Sequence, residues 1–197
     1  MANTAVQAVE QSRSQSISRN VALIVGGALL MDILGRFSVP LPFSPIPLTL
    51  ANFGVLLIAL SIGSRRAAAA MLLYLAQGAA GFPVFSPAGP GGIVQLIGPT
   101  GGYLMSYPLA AFVAGWIAEH GRRTVSRMSV AALAGEILVF LGGIMWLMTV
   151  AHIPFRQAAN WGFYPFAFFE IIKIMVAAAG SARLHRSSKL ASLFGVA

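Results

Sequence analysis

The sequence predicts an all-α integral membrane protein: a bundle of six transmembrane helices with both termini cytoplasmic. Three observations predict it. Hydrophobic residues make up 57% of the 197 positions and charged residues 9%, with a mean hydropathy of +0.80; a soluble domain carries about 25% charge. No Asp, Glu, Lys or Arg occurs from Ala67 to Ala118, a stretch too long for one crossing of roughly 20 residues. The basic residues gather in short clusters between apolar runs, the pattern that sets membrane orientation. The net charge of +8 is therefore not read as a nucleic-acid footprint. Cysteine is absent, which excludes disulfides, thiolate metal sites and a cysteine nucleophile.

The elements follow in order. Residues 1–18 are polar and Gln/Ser-rich and read as an N-terminal tail, flexible or lying along the membrane surface. Val21 to Met31, after Arg13 and Arg19, mimics a signal peptide. No small-residue cleavage site follows, and apolar character resumes at Ile33, so this run starts the first helix, 20–38. Pro40 and Pro42 close it. The second helix, 48–63, ends at Gly63-Ser64-Arg65-Arg66, and the third, 67–81, at Phe82-Pro83. An uncharged segment rich in Gly and Pro then leads to the fourth helix, 101–118. Glu119 to Arg127 separates it from the fifth, 130–150. His152-Ile153-Pro154 precedes the sixth, 162–181, and residues 184–197 form a basic C-terminal tail. Residues 19–183 thus make one membrane domain. Several helices are short, which suits tilt or a compact bundle.

With six crossings, Arg13, Arg19, Arg65, Arg66, Arg122, Arg123, Arg127, Arg183, Arg186 and Lys189 share one side, and the positive-inside rule makes it cytoplasmic. Only Arg36, Arg156 and Lys173 lie elsewhere. Val39–Pro47, Phe82–Thr100 and His152–Asn160 then face outward. The second of these has an irregular, uncharged backbone that cannot face lipid, so it must pack on protein or line a cavity. Phe85 and Tyr103 flank it and are candidate ligand contacts. Small residues recur at helical spacing: Ala22 with Gly26, Ala67 to Ala70, Ala110 with Ala114, Ala131 with Gly135, and Ala177 to Ser181. They suit close packing within the bundle, or docking onto another membrane subunit.

Five charges fall within or at the ends of spans: Asp32, Arg36, Glu136, Glu170 and Lys173. Each costs about 2.5–3.5 kcal/mol at mid-helix. Glu170 and Lys173 share a helix face and form either a neutralising pair or a polar anchor for a ligand. Asp32 and Arg36 stand in the favourable order for a pair, and Arg36, near the outer end, could meet an anion. Glu136 has no partner near in sequence. There is no P-loop, dinucleotide fingerprint or H-E-x-x-H motif, and no nucleophile elbow. His120, His152 and His185 are dispersed. No catalytic residue, metal site or cofactor is expected, and the chain cannot hydrolyse ATP itself.

Four blocks resemble the BioY family, the membrane-embedded, biotin-binding S components of energy-coupling factor (ECF) transporters. Val39-Pro40-Leu41-Pro42-Phe43-Ser44-Pro45-Ile46-Pro47-Leu48-Thr49-Leu50 resembles the family's loop and second-helix start. Gly81-Phe82-Pro83-Val84-Phe85 and Leu96-Ile97-Gly98-Pro99-Thr100-Gly101-Gly102-Tyr103-Leu104 match two further blocks. Pro165-Phe166 followed by Glu170 and Lys173 resembles the closing P-F-x-x-G-D-x-x-K block. The resemblance implies a six-helix S component in the bacterial inner membrane that captures biotin from outside. It implies a transmembrane coupling subunit and two ATPase subunits as partners, besides lipid; it leaves a homo-oligomer open. By family position and donor–acceptor chemistry, the fused rings would stack near Phe85 and Tyr103. The ureido N–H groups would donate to Glu170 or Asn52, and the ureido carbonyl would accept from Lys173. The carboxylate would meet Arg36, a hydroxyl, or backbone N–H groups around Thr100, Gly101 and Gly102. The chain departs from the family at Ala51-Asn52, where Gln-Thr is usual, at Glu136, often Asn, near Arg36, where a Gln is frequent, and at Phe169-Glu170, usually Gly-Asp. The same scaffold with another small vitamin-like ligand, or an intramembrane enzyme using Glu170 and Lys173, are the alternatives.

Overall fold

The computed structural model describes residues 2–186. In chain order it contains α1 (Ala2–Arg36), β1 (Ser38–Leu41), β2 (Ser44–Thr49), α2 (Ala51–Ile62), α3 (Ser64–Ala79), α4 (Gly92–Ile97), α5 (Gly101–Glu119), α6 (Val125–Ala151), α7 (Phe155–Gly162) and α8 (Tyr164–Arg186). Each of the six helices read from the sequence has its counterpart, in α1, α2, α3, α5, α6 and α8. No Pro or Gly precedes Gly26, so nothing stops the first helix at Ser18. It runs as one rod of 35 residues from Ala2. Lys189 and most of the basic tail lie outside the described residues.

Among the described residues, three helical stretches are long and apolar enough to cross a membrane: Arg13–Arg36, Val125–Ala151 and Tyr164–Arg183. The apolar α2 has only 12 residues, about 18 Å of helix.

The all-α expectation fails at one place. Val39–Pro47 is not a plain loop but the greater part of an antiparallel hairpin, in which Ser38 pairs with Thr49, Val39 with Leu48 and Leu41 with Ser44. Prolines argue against a strand because they cannot donate to a ladder. Here Leu50 donates its N–H to the Phe37 carbonyl at 3.0 Å. Alternation from that bond turns the nitrogens of Pro40 and Pro47 away from the partner strand; nearer the turn the register shifts between Val39 and Leu41, and Ile46 gives its N–H to the Ser44 hydroxyl at 3.0 Å. The missing donors are ones that a two-stranded ribbon does not use.

Packing centres on α5, which lies against α6, α3 and α2. Ala110, Ala111 and Ala114 are fully buried, and a Cβ at Gly135 would come within 3.1 Å of the Ala114 Cβ. Small faces thus set the α5–α6 approach, as van der Waals packing requires where lipid removes the hydrophobic drive. Ala67 and Ala70 are likewise buried on α3, and Ala177 and Ala178 on α8. Ser181 donates to the Leu60 carbonyl at 2.9 Å. Ala22 and Gly26 on α1 are different: both are exposed, and nothing lies within 4 Å of a Cβ placed at Gly26.

The end remote from the hairpin is tied by charge. Arg123 donates to the Leu60 carbonyl at 3.0 Å, and Arg127 to the Ile117 carbonyl at 2.9 Å. They cover open carbonyls at the C-terminal turns of α2 and α5. Glu119 accepts from the Ser64 N–H and hydroxyl, at 2.9 and 2.7 Å, at the start of α3.

Candidate functional site

A narrow chamber of about 50 Å³ lies at the hairpin end of the bundle. Ile46, Pro47 and Thr49 of β2 form part of its roof. Ser86, Gln95 and Thr100 of the uncharged segment, and Gly162 at the end of α7, form the rest. Gly35, Ala51, Asn52 and Tyr74 line one side. Tyr103, Leu104 and Tyr107 of α5 line another, and Phe140, Phe166 and Glu170 complete the wall.

The roof is irregular, and side chains hold it. Ser44 donates its hydroxyl to the Trp161 carbonyl at 2.6 Å, joining the hairpin to α7. Ser86 donates to the Ser38 hydroxyl at 2.7 Å. Arg36 donates to the Pro83 carbonyl at 2.7 Å, and Trp146 to the Gly98 carbonyl at 2.9 Å. Gln95, 2% exposed, accepts from the Gly91 N–H at 3.1 Å. Backbone at membrane depth is tolerated when it is satisfied in this way and covers a cavity.

Two connected polar groups stand in the wall. Lys173 donates to Glu170 Oε1 and to the Thr49 carbonyl, both at 2.7 Å. The cation thus links α8 to the base of the hairpin and orients the carboxylate. In the second group, Asn52 donates from Nδ2 to Glu136 Oε1 at 2.8 Å, and Tyr107 donates to Asn52 Oδ1 at 3.1 Å. Glu136 and Glu170 are 3% and 4% exposed. Each carries an Oε2 with no hydrogen-bond partner among the described residues. A buried acceptor left unmade costs about 1–3 kcal/mol. Glu170 lines the chamber, so an N–H of a bound molecule that reached its Oε2 would relieve that cost.

The structure brings Glu170, Asn52, Tyr103 and Thr100 to the chamber and places Lys173 directly behind Glu170. Four other expected residues do not line it. Phe85, 2% exposed, packs edge-on against Tyr74 at 5.3 Å and supports the ring that does line it. Arg36 spends a donor on Pro83 and makes no ion pair with Asp32, which accepts instead from Gln77 at 3.2 Å. Gly101 gives its N–H to Gly98 at 3.0 Å. A Cβ at Gly102 would meet the Gly142 carbonyl at 2.5 Å and the Trp146 ring at 2.8 Å, so Gly102 lets α5 and α6 touch. Sequence reasoning did not select Tyr74, Tyr107 or Gln95 as contacts and left Glu136 unassigned. Their polar tips in otherwise apolar runs were the available signal. Two departures from the family pattern, Asn52 and Glu136, prove to be bonded to each other.

A model of the BioY family matches residues 4–190. A protein of Thermotoga maritima named biotin transporter BioY is 36% identical over 164 residues, covering 83% of this chain and 95% of that protein. A protein of Rhizobium etli with the same name is 34% identical over 172 residues, covering 82% and 90%. A probable biotin transporter BioY of Pyrococcus horikoshii is 34% identical over 168 residues, covering 85% and 97%. The fold is shared with the crystal structure of an S-component for biotin from an ECF-type ABC transporter, at a TM-score of 0.80 and 22% identity, over 92% of this chain and 97% of that one.

Proposed function

The chain belongs to the BioY family, and from that premise we propose that it is a multi-pass membrane subunit that captures biotin and passes it inward. The observation that carries the reading is Glu170. It lines the chamber with one oxygen held by Lys173 and the other unpartnered, an arrangement suited to a ureido N–H. The fused rings lie among Tyr74, Tyr103 and Phe140, and the ureido end points to Glu170 and Asn52. The carboxylate tail runs beneath the roof toward Thr100, Ser86 and Gln95.

Six crossings with both termini in the cytoplasm of a bacterium fit the charge pattern. The arginines at the α2–α3 and α5–α6 junctions lie at the end remote from the hairpin, and the roof then faces outward. No nucleotide-binding motif is present, so energy is supplied by a coupling subunit and two ATPase subunits. The exposed Ala22 and Gly26, which line a groove between α1 and α2 with Leu30, Leu57 and Ser61, are where the coupling subunit packs.

Calorimetric titration of biotin into detergent-solubilised protein tests the reading. Saturable binding that is weakened at least tenfold by Glu170→Gln and by Lys173→Met is expected. A folded chain that takes up no biotin, and that co-purifies with a different small molecule by mass spectrometry, would overturn it.

A further inference from the structure

A groove of about 470 Å³ lies at the end of the bundle remote from the hairpin, between the start of α3 and the end of α5. Arg65 and Arg66 line it from α3, and Phe112, Trp116 and His120 from the side of α5. Glu119 borders it too, but both of its oxygens are engaged by Ser64, at 2.9 and 2.7 Å. Two guanidinium groups against one carboxylate leave the groove positive.

An apolar stripe rises from it. Met105, Leu109, Phe112 and Trp116 are all exposed, and their spacings of four, three and four put them on one face of α5. From Met105 to Trp116 the helix rises about 16 Å, roughly half the hydrocarbon thickness of a bilayer. Trp116 stands at the charged end, with its ring centroid 4.6 Å from that of His120, as amphipathic rings do at headgroup level. Positive charge below and a stripe one leaflet deep above complement a phospholipid of net negative charge. A zwitterionic headgroup brings an ammonium that the arginines repel. An acidic peptide has no use for the stripe.

We propose that this groove binds an anionic phospholipid, with its phosphate at Arg65 and Arg66 and an acyl chain along the α5 stripe. Guanidinium groups hold phosphate oxygens in pairs, and basic pockets between membrane helices on the cytoplasmic side take acidic headgroups. The bound lipid ties the start of α3 to the end of α5. The site is independent of the biotin reading, and only its leaflet follows from the orientation proposed above.

The test uses the full chain in phosphatidylcholine nanodiscs that carry increasing fractions of brominated phosphatidylglycerol or of brominated phosphatidylcholine. Bromine quenches a tryptophan that it touches, and Trp116→Phe separates the emission of Trp116 from that of Trp146 and Trp161. Phosphatidylglycerol should quench Trp116 at lower fractions than phosphatidylcholine. Arg65→Gln should raise the fraction needed for half-quenching by about fivefold. Arg156→Gln, on the exposed side of α7, should leave it unchanged. Equal quenching by the two lipids, as expected of a groove reserved for a protein partner, would overturn the proposal. So would no rise with Arg65→Gln, or the same rise with Arg156→Gln. Should Arg65→Gln not fold, a salt titration of the unaltered chain replaces it: the preference must fall as salt screens the arginines, and a preference indifferent to salt overturns the site. Both leaflets of a nanodisc hold the same lipids, so the outcome does not bear on orientation, and biotin binding is read separately.

Discussion

Lys173 joins two parts of the molecule that sequence separates widely. It reaches Glu170 one turn back on its own helix and the Thr49 carbonyl at the hairpin base. Lys173→Met should weaken biotin binding by roughly tenfold to a hundredfold, as expected for hydrogen bonds to a charged group, measured by calorimetry. The Glu170–Lys173 pair was legible in the sequence because three-residue spacing is local and charge in lipid is costly. The partnership of Asn52 with Glu136 was not legible, since it joins α2 to α6 across 84 positions. Arg36 misled for a related reason. Its charge suggested an anion, but its reach is spent on the Pro83 carbonyl, a backbone acceptor that no side-chain pattern reveals.

The helices were legible because Pro, Gly and charge cluster at their ends while their middles are predominantly apolar. The hairpin was not, because strand prolines are normally a contrary sign and their harmlessness depends on which way each nitrogen turns. Contacts between helices are set by residues with little or no side chain. Gly102→Ala places a methyl against Trp146 and the Gly142 carbonyl and should cost about 1–3 kcal/mol, seen as a lower thermal midpoint in detergent. Gly26→Leu should leave that midpoint and biotin binding unchanged, because open space surrounds Gly26. If α1 is the docking face, the same change should reduce co-purification of the coupling subunit; full retention of that subunit would exclude this face.

As a whole, the molecule is a bundle capped at one end by a jointed roof and tied at the other by arginines on helix carbonyls. The roof pieces come from three separate stretches of chain and meet through single hydrogen bonds, such as that from Ser44 to the Trp161 carbonyl. Ser44→Ala should speed biotin release several-fold, as loss of one bond of about 0.5–1.5 kcal/mol allows, with stopped-flow displacement as the measurement. That a chamber exists under the uncharged segment follows from the cost of bare peptide in lipid; which side chains furnish it depends on tertiary contact. The hairpin's outward prolines have one more effect. Rims without amide hydrogens at those positions give a passing chain no zipper to continue, so the ribbon stays two strands wide. A ribbon built this way does not glue itself to neighbouring copies.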